Sequence, residues 1–329
     1  MDINPKYDDY YFPVKAPQEK KGHAGYLKED EIAKVHQLRM LLEAEGYTER
    51  LDTLTLLRFL RARNWLVETP PNDPKKPQGA KEMFVESEKW RNEIKLDEIL
   101  PDWSYPEKEK LSKYYVQFYH KTDKDGRPVY IETLGSINMT EMRKITTEDR
   151  MLLNLAVEYE RVADPRLPAC SHQAGYLLET CCTIMDLKGV GITTAPQAMG
   201  YLQNASKISQ NNYPERLGKL YIINAPWGFS TVWSVIKGFL DPVTVDKIHV
   251  LGSGYKSELL KQVPAENLPK AFGGSCECAG GCSNSDAGPW QDPAHTRTPK
   301  WAQKKQGQAL DNTGSEILVP GGEKAPEGA

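Results

Sequence analysis

The chain has 329 residues, of which 39% are hydrophobic, 9% aromatic and 26% charged, enough apolar material for one or two cores and too polar for membrane spans. Lys and Arg (42) nearly balance Asp and Glu (45), giving a formal net charge of −3, so no global positive field exists to hold a nucleic acid. The first twelve residues mix Asp, Asn, Pro, Lys and Tyr without the basic-then-apolar order of a signal peptide, which predicts a cytoplasmic protein.

Residues 1–26 carry Pro, Tyr and charges without lasting periodicity and read as an extended arm. Over 29–45, Ile32, Val35, Leu38, Met40, Leu41 and Leu42 recur at helical spacing and Gly46 stops the run. A second helix over 51–63 has Asp52 as its N-cap, an apolar face of Leu54, Leu57, Phe59 and Leu60, and arginines in its last turns, where the helix dipole favours cations. The proline-rich stretch 68–78 is a surface loop. A third helix over 81–93 completes a helical unit at 27–100.

The pattern changes after Pro101. Tyr114 to His120 is aromatic and β-branched, and Asp125-Gly126-Arg127-Pro128 turns it into Val129-Tyr130-Ile131, a hairpin signal. A helix over 148–162 leads to a strand at 181–187, a helix over 195–211 to a strand at 220–224, and a helix over 229–240 to a strand at 247–251. Short apolar strands alternating with helices predict an α/β domain with a mostly parallel or mixed sheet over 101–278. From 279 to 329 Gly, Pro, Ser and charges predict a flexible tail, with Trp290 as its one docking point.

Catalytic signatures are missing one by one: no Gly-x-Ser-x-Gly, no Gly-x-Gly-x-x-Gly, no Walker lysine and no His-Glu-x-x-His. Gly252-Ser253-Gly254 between a strand and a helix reads as a tight turn before it reads as a phosphate loop. His120, His172 and His249 have no carboxylate or Ser partner in sequence and read as structural histidines. Cys276, Cys278 and Cys282 are spaced like thiolate ligands but lack a fourth Cys or a spaced His nearby, so free thiols in the tail and no metal are expected. No enzyme is predicted, and no cofactor. The helix over 229–240 places Phe229, Val232, Trp233, Ile236, Phe239 and Leu240 on one broad apolar face, with Gly228 and Gly238 as hinge points. Periodicity alone accommodates burial against the sheet, the plainer reading, and a mobile helix that touches a membrane.

Several segments together resemble the fungal phosphatidylinositol/phosphatidylcholine transfer proteins of the CRAL-TRIO, Sec-fourteen-like family. They are Leu57-Arg58-Phe59-Leu60-Arg61-Ala62-Arg63, His120-Lys121-Thr122-Asp123-Lys124-Asp125-Gly126-Arg127-Pro128-Val129-Tyr130, Thr183-Ile184-Met185-Asp186-Leu187-Lys188-Gly189, Asn212-Tyr213-Pro214-Glu215-Arg216, Ile222-Ile223-Asn224-Ala225-Pro226 and Phe239-Leu240-Asp241-Pro242-Val243-Thr244. The resemblance runs from about residue 27 to 274. It implies a helical unit packed on a lipid-binding domain whose sheet floors an apolar pocket, with the 229–240 helix as its gate. It implies an inositol-phosphate site at Arg63, Glu215, Asp241, Thr244 and Lys247, and a choline-phospholipid site at Tyr119, Tyr130, Tyr159, Cys181, Thr183 and Ser209. The residue types suit such headgroups, since cations neutralise a phosphate and tyrosine rings attract a quaternary ammonium.

The implied function is exchange of one phosphatidylinositol or phosphatidylcholine between membranes, in support of phosphoinositide signalling and trafficking. The implied partners are a transiently touched Golgi or endosomal membrane surface and a phosphatidylinositol kinase. The alternative is a lipid sensor or regulatory module on the same scaffold that transfers nothing. Two positions depart from the family: Asn64 stands where the family has Lys, and Cys181 where it has Ser, the thiol being a weaker donor. The 68–78 stretch is an insertion relative to the family.

Overall fold

Capping and apolar spacing set the N-terminal unit. The computed structural model describes residues 4–70, 77–191, 194–239 and 242–303, and part of the proline-rich loop, 71–76, lies outside them. Helix α1 (Glu29–Ala44) opens with three acidic residues and buries Val35, Leu38 and Leu42. Helix α2 (Thr53–Ala62) starts where Asp52 accepts the Thr55 N–H at 3.0 Å. Leu54, Leu56, Leu57, Phe59 and Leu60 are all buried, so α2 is the central helix of the unit. Helix α3 (Ala80–Glu93) adds Met83 and Phe84, the latter edge-on to Phe59 at 5.3 Å. Residues 4–26 lie against this unit: Asp8 accepts the Thr53 N–H and hydroxyl, both at 2.7 Å, and the Tyr10 hydroxyl donates to Asp52 at 2.8 Å.

Two single turns, α4 (Leu96–Ile99) and α5 (Lys108–Leu111), lead into the sheet. Strands β1 (Val116–Thr122) and β2 (Pro128–Thr133) form the expected antiparallel hairpin. Strands β3 (Cys181–Asp186), β4 (Leu217–Ile223) and β5 (Ile248–Val250) follow in parallel, in the spatial order β1-β2-β3-β4-β5. Helices α6 (Met139–Arg143), α7 (Glu148–Arg161) and α8 (Leu167–Ala174) join β2 to β3, and α9 (Thr194–Asn212) joins β3 to β4. Helix α10 (Phe229–Ile236), a 3-10 turn at Lys237–Phe239 and α11 (Pro242–Val245) connect β4 to β5. The predicted 229–240 helix therefore tightens after Ile236, next to Gly238, a poor helix former.

The two sheet faces are treated differently. Val129, Ile131, Cys182, Ile184 and Ile223 are fully buried on one face, under Tyr255 and Leu259 of α12 (Tyr255–Gln262). The opposite face is taken up below. Residues 279–303 do not trail away from the fold. Helix α13 (Cys282–Ser285) starts at the last cysteine of the run, Trp290 is buried and donates to the Asp286 carbonyl at 2.9 Å, and Trp301 donates to the Asp164 carbonyl at 2.9 Å. Two indoles, each burying a large apolar area, hold a segment whose Gly, Pro and Ser content shows no periodicity. A cavity of about 830 Å³ lies where the N-terminal arm, α2, α3 and this last segment meet. Its walls mix charged side chains, among them Arg58, Arg91, Asp164 and Arg216, with aromatic and aliphatic ones such as Phe59, Phe84, Leu167 and Trp301.

The helical unit is tied to the sheet domain through a buried ion pair. Arg91 of α3 reaches Glu160 of α7 at 2.6 Å, and the Tyr213 hydroxyl donates to the same carboxylate at 2.8 Å. Burial works to raise the Glu160 carboxyl, but the charge and hydrogen bonds of Arg91, with Tyr213, outweigh it and hold it below the usual carboxylate range. Arg91→Ala leaves that carboxylate buried and unpaired, and is expected to cost about 3–5 kcal/mol in urea unfolding. Because the folded pKa is depressed, the pair stabilises above the ordinary Glu pKa of about 4.3 and its contribution fades as pH falls below that. The acid limb of the stability profile should therefore flatten in the variant.

Candidate functional site

Side chains alternate along a strand, so the register defines rows across a face. On the face away from α12, one row runs Tyr119, Tyr130, Thr183, Leu220, Ile248 through all five strands. The next row runs Gln117, Glu132, Met185, Ile222, Val250. Both rows are polar on β1 and β2 and apolar on β4 and β5. Thr183, Met185, Leu220, Ile248 and Val250 are only half-buried, whereas inner parallel strands are ordinarily covered on both faces. The face is an amphipathic floor, only half-covered where Ala198 and Tyr201 of α9 and Phe229 of α10 pack on it.

The polar end brings together the choline-lipid set. The rings of Tyr119 and Tyr130 lie 4.8 Å apart, and Gln117 donates to the Tyr130 hydroxyl at 2.8 Å. Tyr159 of α7 stacks on Tyr213 at 4.6 Å. Burial pushes the Tyr159 hydroxyl up to about 12, against a hydrogen bond with Ser209 that pulls the other way. Glu132 is buried, accepts from the Tyr115 hydroxyl at 2.8 Å, and has its carboxyl raised by burial. Cys181 is buried at the start of β3, and burial pushes its thiol up to about 12. A cation already stands over Tyr119: the Arg166 guanidinium, 4.4 Å from the ring centre and paired with Glu158 at 3.0 Å and Asp286 at 3.2 Å. That ring face is therefore occupied by the protein's own charge.

The inositol set is assembled only in part. Glu215, held at φ 62°, lies 3.9 Å from the Nε of Arg61, which also pairs with Glu179 at 3.0 Å. Lys20 from the arm joins them: its ammonium is destabilised by burial first, then by Lys247 and Arg61, and supported by Glu215. Thr244 sits on α11, and the Lys247 N–H closes the following turn onto its carbonyl at 3.1 Å. Arg63 is not brought to this group. It is the C-cap of α2 and donates to Gln78 Oε1 and to the Ala62 carbonyl, both at 3.1 Å. Residues two apart on a helix point to opposite sides, so the arginine beside Glu215 is Arg61. Asp241 and Leu240 lie outside the described residues, as do the side chains of Val232, Ile236 and Phe239. Of the described apolar residues of α10, Phe229 packs on the sheet-face cluster and Trp233 is half-buried, while Ser230, Thr231 and Ser234 are partly or fully exposed.

Sequence reasoning does not single out Arg61, Lys20, Glu132, Arg166 or Tyr213 as site residues. Arg61 lies in the same arginine motif and is separable from Arg63 only by helix phase. Lys20 carries no local signal at all.

A family model of the CRAL/TRIO domain matches residues 112–274. The Sec14 cytosolic factor of Schizosaccharomyces pombe is 54% identical over 281 residues, 85% of this chain and 95% of that protein. The chain belongs to the CRAL/TRIO family. The SEC14 cytosolic factor of Candida glabrata is similarly 56% identical over 285 residues, 85% of this chain and 91% of its own. The phosphatidylinositol/phosphatidylcholine transfer protein SFH12 of Arabidopsis thaliana is 38% identical over 272 residues, 81% of this chain and 48% of its own. The crystal structure of Sfh5 superposes with a TM-score of 0.51 at 15% identity, covering 87% of this chain and 98% of that one, a likeness of fold alone. Among the described residues, no helix of this CRAL/TRIO protein is long and apolar enough to cross a membrane.

The burial of Cys181 has a chemical consequence. With its thiol near 12, the thiolate that alkylating agents attack is almost unpopulated at neutral or mildly alkaline pH. Native protein treated with iodoacetamide at about pH 8 should leave Cys181 unmodified, and the same treatment in urea should label it, as read by peptide mass spectrometry. Rapid native labelling would mean that the thiol is not buried as the fold places it.

Proposed function

We propose that the protein is a phospholipid carrier that holds one phosphatidylinositol or phosphatidylcholine over the half-open sheet face and exchanges it between membranes, in support of phosphoinositide signalling and trafficking. The observation that carries the reading is the amphipathic floor: two rows of side chains that pass from Tyr, Gln, Glu and Thr to Leu, Met, Ile and Val across one face. A phospholipid has the same division. The name of the Arabidopsis relative supports the same two lipids. The carrier makes and breaks no bond, so it is not an enzyme. It works in the cytoplasm and touches Golgi or endosomal membranes transiently, and a phosphatidylinositol kinase is the consumer of the lipid it presents.

In this reading a choline lipid lies against Tyr119, Tyr130, Tyr159, Cys181, Thr183 and Ser209. An inositol phosphate lies against Glu215, Thr244 and Lys247, with Asp241 beside them and with Arg61 and Lys20 supplying the positive charge that Arg63, turned toward Gln78, does not. Helix α10 is the gate. Trp227, fully exposed just before it and followed by Gly228 at φ 84°, is the side chain that first meets the bilayer.

Transfer of labelled lipid between vesicles separates the carrier from a sensor that keeps its lipid. Lys247→Ala removes a charge-assisted contact worth about 1.5–3 kcal/mol, so phosphatidylinositol binding should fall about ten- to hundredfold while phosphatidylcholine binding holds. Equal loss of both lipids would make the lysine structural. Trp227→Asp should leave the unfolding midpoint within about 0.5 kcal/mol of the parent, since the indole touches solvent, and should lower vesicle binding about tenfold or more in a flotation assay. Unchanged flotation would move the membrane contact elsewhere.

A further inference from the structure

The cysteine run, whose composition predicts a loose tail with no metal, meets a histidine that lies far from it in the chain. One ligand-type atom from each of His120, Cys276, Cys278 and Cys282 lies within 4.8 Å of all the others. His120 is on β1, fully buried, on the same face as Phe118. Its Nε2 stands 3.3 Å from Cys276 Sγ, and Cys276 Sγ stands 3.8 Å from Cys278 Sγ. Donors at 2.0–2.3 Å from a tetrahedral zinc are separated from one another by about 3.4–3.8 Å. A disulfide would need its sulfurs at about 2.05 Å.

The local backbone is shaped to converge the thiols. Gly280 and Gly281 take φ of 74° and 90°, a left-handed pair that only glycine adopts at low cost, and the Gly281 N–H returns to the Cys278 carbonyl at 2.9 Å. The loop closes on Cys282, the first residue of α13, whose side chain packs against the sealed core. Ser285, one turn on, orients the imidazole. Its hydroxyl donates to the Cys282 carbonyl at 3.0 Å, so toward His120 Nδ1, at 3.2 Å, it can only accept. The ring proton is thereby placed on Nδ1, and the Nε2 lone pair faces the thiols. A metal-binding imidazole is held in this way, by a hydrogen bond from its other nitrogen. Cys276 and His120 are buried while Cys278 and Cys282 are half-buried, which leaves an entry path from solvent.

We propose that His120, Cys276, Cys278 and Cys282 bind one structural zinc ion that clips the end of the chain to the edge strand of the sheet. Three thiolates and one imidazole close all four tetrahedral positions, so the ion has no open site and does no chemistry. What it holds is visible in the segment that follows. The Lys121 N–H donates to the Ala287 carbonyl at 2.5 Å, covering the free edge of β1, and Asp286 pairs with the Arg166 that lies over Tyr119. The clip thus fixes the wall behind the polar end of the lipid floor.

The test is the metal content of the full chain, purified under reducing conditions without chelator, dialysed against zinc sulfate and desalted. About one zinc per chain is expected by elemental mass spectrometry, retained in Cys170→Ala, which removes a thiol outside the cluster, and lost in Cys278→Ser and Cys282→Ser. Cobalt(II) in place of zinc should give a thiolate charge-transfer band that weakens in the same two variants. Should either variant fail to fold, titrating the parent thiols with a mercurial must release zinc in step with their modification. Zinc no higher in the parent than in Cys278→Ser, zinc release uncoupled from thiol modification, or a disulfide between any two of the three cysteines in the dialysed protein, would each overturn the assignment.

Discussion

A parallel sheet is ordinarily stable because both faces are covered, and this one leaves the β3 to β5 part of one face only half-covered by its own helices. Everything else in the molecule follows from having to live with that opening. A two-chain phospholipid carries on the order of 30 methylenes, each worth about 0.8 kcal/mol, so a protein that lifts it from a bilayer must replace some 25 kcal/mol of burial. In the proposed carrier, the apolar surface that is a liability when empty balances that loss when a lipid fills it. The sealed face under α12 supplies the stability that the open face gives up.

The charged cluster between the arm, the helical unit and the sheet domain is built at the meeting of segments distant in the chain. Lys20 comes from the arm, Arg61 from α2, Glu179 from the approach to β3, Glu215 from just before β4 and Lys247 from just before β5. None of these charges is balanced within its own element. Arg61 of the helical unit pairs with Glu179 and stands beside Glu215 of the sheet domain, so this charged cluster and the docking of the helical unit are one electrostatic problem. The Arg91 and Glu160 pair solves its structural half, with both partners buried and a tyrosine hydroxyl completing the carboxylate's hydrogen bonds.

Arg166 links this region to the end of the chain. Its guanidinium lies over Tyr119, contacts Trp290 at 5.7 Å, and pairs with Glu158 and Asp286. Tyr119 and His120 are neighbours on β1 but face opposite sides of the sheet, one toward the lipid floor and one toward the cysteine cluster. The edge strand therefore carries, one residue apart, both the tyrosine of the proposed choline-lipid site and the histidine of the proposed zinc clip.

Helix periods, the Asp52 cap, the Asp125 to Pro128 turn and the alternation of strands with helices are local signals, set within about ten residues, and they appear where the periodicity puts them. The family motifs are likewise contiguous strings, which is why the segments around Tyr130, Glu215 and Thr244 are legible in the chain. The departures at Asn64 and Cys181 are equally plain there. What the linear chain does not reveal is which groups face one another. Arg61 and not Arg63 meets Glu215 because helix phase at a terminus, not motif membership, aims a side chain. His120 meets three thiols 156 or more residues away because an edge strand needs a cover. Trp290 and Trp301 hold an aperiodic segment because burial rewards area regardless of pattern. Local propensity is written in adjacent residues, whereas the approach of charges, donors and rings from separate elements is a property of packing, and only the tertiary structure decides it.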